Sequence, residues 1–192
     1  MTLQNVIFLD RDGVINRDSP EYVKCWEEYE FLPGSLEAMA KLSRADYTLI
    51  LITNQSIIGR GMVPPEVLED IHRRMRRAIE AAGGEILDIF YCPHRPDEDC
   101  DCRKPEPGLI FQAKERHGID LPRTVMIGDN VKDVACGHNA GCGATILVRT
   151  GSGQEAEKAL AREQIQPSAV ADDLNAAAGL ILSGQISFSS VA

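Results

Sequence analysis

Four short polar groups in this sequence have the residue types for chemistry on a phosphate ester: Asp10-Arg11-Asp12-Gly13, Thr53-Asn54-Gln55-Ser56, Arg103-Lys104-Pro105 and Gly128-Asp129. Three of them follow runs of apolar residues. A buried strand does not deliver carboxylates to its end without compensation, because an unpaired buried carboxylate is costly. A hard divalent cation is the natural compensation. Asp10 and Asp129 can share Mg²⁺, with the backbone carbonyl of Asp12 and waters completing an oxygen shell. A carboxylate such as Asp10 can attack phosphorus and form an aspartyl-phosphate. Lys104 and the Thr53 hydroxyl can then offset the charge of the phosphoryl group. Asp12, one residue beyond the nucleophile, can protonate the leaving oxygen and later take a proton from water.

A second constellation lies just before the lysine. Cys92-Pro-His94-x5-Cys100-Asp-Cys102 brings three thiols and one imidazole into one short segment. That donor set suits tetrahedral Zn²⁺, and with all four positions filled by protein the site reads as closed and structural. The loop around it is acidic (Asp97, Glu98, Asp99, Asp101) and poor in apolar residues. Metal binding would give it a shape that packing could not. It would also fix the direction of Arg103, whose guanidinium suits a second phosphate on the substrate.

The elements that must position these groups follow from hydrophobic pattern. Val6–Leu9, Tyr47–Ile52, Ile86–Tyr91, Thr124–Ile127 and Ala144–Val148 are short apolar runs of the kind found in buried parallel strands, and 169–171 reads as a short edge strand. Helical spacing separates them. One helix starts at Pro33-Gly34-Ser35. A long one opens at Pro64-Pro65 with Val67, Ile71, Met75 and Ile79 as its apolar stripe. Others run from Pro107-Gly108, over Val131–Asn139, Glu155–Glu163 and Leu174–Leu182. Alternating strands and helices predict an α/β fold, a Rossmann-like parallel sheet with helices on both faces. Residues 1–183 then form one domain with no large cap, residues 92–102 form the zinc loop, and 184–192 form a frayed tail. Residues 16–30 lack a period and are expected to lie as a loop over the site. In such a sheet, ligands bind outside the carboxyl ends of the strands, where the first, second and fourth polar groups fall.

At this point the residues carry a resemblance. Asp10-Arg11-Asp12-Gly13-Val14, Thr53-Asn54, Lys104-Pro105 and Gly128-Asp129-Asn130-Val131-Lys132-Asp133 resemble, in order, the four motifs of the haloacid dehalogenase (HAD) superfamily of phosphatases. The resemblance implies Asp10 as nucleophile and Asp12 as general acid/base. It implies Thr53 and Lys104 as phosphate stabilisers, Asp10, Asp12 and Asp129 around Mg²⁺, and Asp133 as a support for the metal site. The zinc loop before Arg-Lys-Pro, with Tyr91-Cys92-Pro93-His94, is similar to that of a branch containing sugar-bisphosphate and histidinol-phosphate phosphatases. That likeness implies a heptose bisphosphate as substrate, on the route to nucleotide-activated surface sugars. It also implies substrate contacts from Asp18, Ser19, Pro20 and Glu21, and from Asn54, Gln55 and Ser56. The alternatives are histidinol phosphate, the 3′-phosphate of a nucleic-acid end, or a zinc-stabilised binding module without catalysis. A binder needs no nucleophile and acid pair.

The formal net charge of −9 over 192 residues disfavours a nucleic-acid partner. No apolar run is long enough to span a bilayer, and the N-terminus lacks a secretory pattern. The expectation is a cytoplasmic monomer with reduced cysteines, acting on a small phosphorylated sugar. Cys136 and Cys142 read as buried small hydrophobes, and Cys25 has no metal spacing. His72, His117 and His138 read as solvated. The basic run 72–77 reads as a solvated helix face.

Overall fold

The computed structural model describes residues 2–186. Its centre is β1 (Val6–Leu9), four residues with no exposed surface. β2 (Thr48–Asn54) pairs with it on one side and β4 (Thr124–Gly128) on the other. β3 (Ile86–Cys92), β5 (Ala144–Val148) and β6 (Ala169–Ala171) complete a parallel sheet in the order β3-β2-β1-β4-β5-β6. The chain winds outward from β1 through β2 to β3, then returns to β4 and winds the other way. Strand order therefore reverses between β1 and β4, and the crevice at such a reversal is where α/β sheets bind ligands.

Side chains alternate across a strand, so each face of β1 anchors its own core. Ile7 and Leu9 pack with Leu49, Leu51, Val125 and Ile127 beneath α1 (Ser35–Arg44), α2 (Pro65–Ala81) and α6 (Leu174–Leu182). Val6 and Phe8 pack with Ile50, Ile52 and Met126 beneath α3 (Gly108–His117) and α4 (Val131–Ala140). α5 (Gly153–Glu163) packs Ala156 and Leu160 against Leu147 and Val134. At the carboxyl edge of the sheet, residues 10–34, 55–64 and 93–107 are connections without a long helix or a second sheet.

Three strands run further than expected, β4 by Gly128 alone. β2 continues through Thr53 and Asn54, which pair with Tyr91 and Cys92 of a β3 that also runs one residue longer. The functional candidates Thr53 and Cys92 therefore sit in ladder positions, where the backbone is fixed. The loop over the site is ordered by an aromatic cluster in which Trp26 stacks on Tyr29 at 5.1 Å and Phe31 meets Tyr29 edge-on. A bridge between Asn16 and Phe31 closes it. In the stretch expected to fray, Ile186 is buried in the core; residues 187–192 lie outside the described residues.

His72 and His117 are not solvated. His72 is 6% exposed, on the buried face of α2 with Leu68, Ile71, Met75 and Ile79, while Val67 is only half-buried. His117 Nε2 lies 2.9 Å from Asp88 Oδ2, and Arg116 donates to the same carboxylate. His138 is exposed, as expected, with Nε2 3.2 Å from the Thr145 hydroxyl. The neighbouring arginines fit a solvated face: Arg73 and Arg74 both pair with Asp70. Cys136 is fully buried, whereas Cys142 is half-buried at the edge of the core.

Candidate active site

Asp10 follows β1 directly. Its backbone N–H continues the ladder by donating to the Ile127 carbonyl, so the position of its Cα is set by the central strands. Its carboxylate meets Lys104 Nζ at 2.8 Å. Lys104 is 3% exposed and also reaches Asp133 at 2.6 Å and the Ile52 carbonyl at 2.9 Å. Asn54 grips the backbone of Lys104 from both sides, accepting from its N–H at 3.1 Å and donating to its carbonyl at 3.2 Å. The lysine is thus delivered to the end of β1 by a side chain at the end of β2.

Asp133 is 1% exposed, so it is neither a solvated helix residue nor remote from the site. It closes a capping box at the start of α4, accepting from the Asn130 N–H while Asn130 caps the helix. Asp10, Asp129 and Asp133 can each present a carboxylate oxygen within 4.8 Å of the others. Burial, with Asp133 and Asp12 as like-charged neighbours, pushes the Asp10 carboxyl up to about 7 against the pull of Lys104. Burial, with Asp10 and Asp133 nearby, pushes Asp129 up to about 8. Burial alone would lower Lys104, but Asp10 and Asp133 outweigh it and hold the ammonium above its ordinary range. Three crowded carboxyls share one ammonium. A divalent cation supplies the positive charge that the donor set lacks, and oxygen donors of this kind suit Mg²⁺.

The Asp12 carboxylate lies outside that cluster; the atom of Asp12 assigned to Mg²⁺ from the sequence is its backbone carbonyl, not its side chain. Arg11 takes the carboxylate, from Nη2 at 2.9 and 3.0 Å and from Nε at 3.2 and 3.3 Å. Asn16 and Gln55 donate to it at 2.8 Å each. Burial would raise the Asp12 carboxyl, but the Arg11 charge and these hydrogen bonds hold it below its usual range. Only the backbone carbonyl of Asp12 remains as a candidate metal donor.

A brace not read from the sequence holds Asp129. The Ser152 N–H donates to Asp129 Oδ2 at 2.7 Å, and the Thr150 hydroxyl donates to the Gly13 carbonyl at 2.6 Å. Gly13 (φ +81°) and Gly151 (φ +55°) close on the same carboxylate, and a Cβ on either would lie 2.2 Å from Asp129 Oδ2. Gly151→Ala should therefore displace Asp129 and weaken Mg²⁺ binding about 10- to 100-fold, as disturbed support of metal ligands does. Calorimetric titration with Mg²⁺ measures it.

These groups line a cavity of about 310 Å³. Asp18, Ser19, Pro20, Tyr22 and Val23 of the loop after β1 border it, as do Arg103, Asn130, Lys132, Thr53, Asn54, Gln55 and Ser152. Two expected contacts fall outside this lining. Glu21 is exposed, and Ser56 is buried with its carbonyl spent on the Arg60 N–H. Gln55 is 3% exposed, with its amide committed to Asp12, Arg11 and Thr53.

The cysteine loop closes on itself. Cys92, Cys100 and Cys102 sulfurs stand 3.3 to 3.6 Å apart, and His94 Nδ1 lies 3.2 Å from Cys102 Sγ and 3.5 Å from Cys92 Sγ. These separations are far beyond a disulfide bond and close to the edge of a zinc–thiolate tetrahedron, about 3.8 Å for sulfur pairs. Burial and the neighbouring thiols push the Cys102 thiol up, the result of packing thiols together without a cation. The donor set is compatible with zinc. Arg103 Nη1 donates to the His94 carbonyl at 3.2 Å, tying the cavity rim to this cluster.

An acid cluster and lysine at the reversal of a parallel sheet define a HAD-like hydrolase, and the family model described as HAD-hydrolase-like matches residues 101–177. The D-glycero-β-D-manno-heptose-1,7-bisphosphate 7-phosphatase of Pseudomonas aeruginosa is 41% identical over 93% of this chain and 98% of its own. The enzyme of that name from Bordetella bronchiseptica is 43% identical over 92% of this chain and 97% of its own. A crystal structure of D,D-heptose 1,7-bisphosphate phosphatase from B. bronchiseptica, complexed with magnesium and phosphate, superposes with a TM-score of 0.87, covering 93% of this chain and 98% of that one at 42% identity. The chain belongs to the HAD-like phosphatases and, within them, to the family of these heptose-bisphosphate phosphatases.

Proposed function

We propose that this chain removes the C7 phosphate of D-glycero-β-D-manno-heptose 1,7-bisphosphate through an aspartyl-phosphate on Asp10. The observation that carries the reading is the Asp10 carboxylate, held 2.8 Å from a buried Lys104 at the floor of a polar cavity. The substrate is drawn from the names of relatives that match nearly the whole chain.

In the first step an Asp10 oxygen forms a bond to phosphorus and the bond from phosphorus to the C7 oxygen breaks. The leaving oxygen takes a proton from Asp12, which rests as a carboxylate held by Arg11, Asn16 and Gln55 and must first be protonated, with one of those donors giving way. In the second step water attacks the phosphorus of the aspartyl-phosphate, its proton passes to the Asp12 carboxylate, and the bond from phosphorus to Asp10 breaks. Inorganic phosphate leaves and both aspartates are restored. Lys104 and the Thr53 hydroxyl face the phosphoryl oxygens. Mg²⁺, held by the Asp10 and Asp129 carboxylates and the Asp12 carbonyl, would offset phosphate charge. Asp133 holds Lys104 beside the nucleophile. Arg103, with the 18–23 loop, meets the rest of the substrate. Zinc on Cys92, His94, Cys100 and Cys102 would be structural. No helix among the described residues is long and apolar enough to cross a membrane.

The test is a comparison of kcat/KM on the β and α anomers of the heptose bisphosphate, on histidinol phosphate and on a 3′-phosphorylated oligonucleotide. The β anomer is expected to lead by at least about tenfold, roughly 1.4 kcal/mol of transition-state discrimination. A lead for histidinol phosphate or the oligonucleotide would replace the proposed substrate.

A further inference from the structure

Arg11 stands between the two aspartates of the site and borders the cavity, yet its side chain is only 1% exposed. Its guanidinium grips both oxygens of Asp12. Nη2 also donates to Gln55 Oε1 at 3.1 Å, and Nη1 faces His72 Nε2 at 3.3 Å. A guanidinium has no acceptor, so His72 Nε2 must be the bare nitrogen of a neutral ring that carries its proton on Nδ1. His72 is itself buried on α2, against Tyr91 of β3. The far side of Arg11 is therefore fixed by the scaffold. On the near side, each Asp12 oxygen receives the guanidinium and one amide, from Asn16 or from Gln55.

Asp12 precedes a glycine turn, and its side chain keeps 22% exposure. A carboxylate there has rotamers that point away from a phosphate ester. A planar fork that binds both oxygens at once selects one orientation, which an ammonium, as a point charge, cannot do. Burying a guanidinium is unfavourable unless its partners are well matched, and here its ion-pair partner is the group assigned to proton transfer.

We propose that Arg11, backed by neutral His72 and by Gln55, is the positioning residue for Asp12, aiming its carboxyl at the leaving oxygen and then at the attacking water. This rests on the phosphatase reading above.

The experiment compares Arg11→Lys and His72→Gln with wild-type on two esters. One is the heptose bisphosphate, whose alkoxide leaving group needs a proton. The other is p-nitrophenyl phosphate, whose phenolate leaves without one. With the sugar, Arg11→Lys should lower kcat about tenfold or more with KM within about twofold. With p-nitrophenyl phosphate and enzyme in excess, release of p-nitrophenol should stay within about threefold of wild-type, while steady-state turnover falls because hydrolysis of the phosphoenzyme still needs the base. In an Asp12→Asn background the same substitution should add less than about twofold, the sign of two residues acting as one. His72→Gln should reproduce the split between the two phases at smaller amplitude, and it carries the test if Arg11→Lys does not fold. Loss of single-turnover release in step with steady-state turnover, or multiplying losses in the double variant, would overturn the assignment. A wild-type chain that hydrolyses neither ester would overturn the phosphatase reading and the inference with it; a wild-type that hydrolyses both separates the two questions.

Discussion

Asp10→Asn should leave a folded chain whose turnover of phosphate monoesters is at least about a thousandfold below wild-type, the scale on which a covalent nucleophile is lost. The substitution keeps volume and shape, and the amide oxygen can still accept from the Arg11 N–H, as Asp10 Oδ1 does at 2.8 Å. It cannot attack phosphorus, so no aspartyl-phosphate should be trapped by acid quench, whereas wild-type should yield one. Stability should move the other way. Asp10 is one of three buried carboxyls around one ammonium, and in cation-free protein its carboxyl is pushed up to about 7. An unfolded aspartate titrates near ~3.9. A raised folded-state value means stability that is fully present below that unfolded value and is lost as pH rises through the folded one. Asparagine has nothing to ionise, so metal-free Asp10→Asn should melt at or above the wild-type temperature at pH 8 and lose part of the wild-type decline between pH 4 and pH 8. Lys104 keeps Asp133 at 2.6 Å, so its charge is not stranded. A variant that still turned over near the wild-type rate would place the nucleophile elsewhere.

The same carboxyls show how far a sequence can be read. Asp10, Thr53 and Asp129 were legible because each follows an apolar run, and a parallel sheet brings its carboxyl ends to one edge. Lys104 was legible from its position in a loop feeding that edge. The partner of Asp12 was not. Arg11 adjoins two acids, and nothing in spacing says whether an arginine in such a place turns outward to solvent or inward to its neighbour. His72 was recoverable, since it lies four residues after Leu68 and three before Met75, on the buried stripe of α2. Weight given to the polarity of the side chain over its period puts it in solvent. The family resemblance alone implies Asp133 as a support for the metal site; its place as the acidic third residue of a helix capped by Asn130 is a local signal for it as well. The Thr150–Ser152 brace left no local signal. Thr-Gly-Ser after a strand reads as any turn, and its role arises only because β5 is separated from β1 by β4 alone, so that its outgoing turn arches over Asp129 to Gly13.

Removing zinc should separate binding from chemistry in this site. Protein purified without added metal is expected to hold about one Zn²⁺ per chain, and Cys100→Ser to hold little, because a closed four-ligand site is weakened by loss of any thiolate. The loop has few other restraints. Arg95 pairs with Asp97 and Glu98 at the surface, where such pairs contribute little. Cys92 is fixed by its ladder position in β3 and Cys102 by its burial in the core and the Gly108 N–H on the Asp101 carbonyl, whereas Cys100 is drawn to them through the shared cluster. Loss of the metal should therefore cost at least about 3 kcal/mol and lower Tm by about 6–12 °C. The two basic residues that follow the loop should respond differently. Lys104 is held independently by the Asn54 clamp, by Asp10 and Asp133 and by the Ile52 carbonyl. Arg103 is held by a hydrogen bond to His94, itself one of the four metal-ligand candidates. Cys100→Ser should thus retain most of its kcat on p-nitrophenyl phosphate, measured below its lowered Tm, while kcat/KM for the bisphosphate falls about tenfold or more through KM. An equal loss on both esters would mean that the loop supports the nucleophile and lysine as well. Unchanged melting and unchanged KM in zinc-free protein would mean that the four side chains do not form a metal site at all.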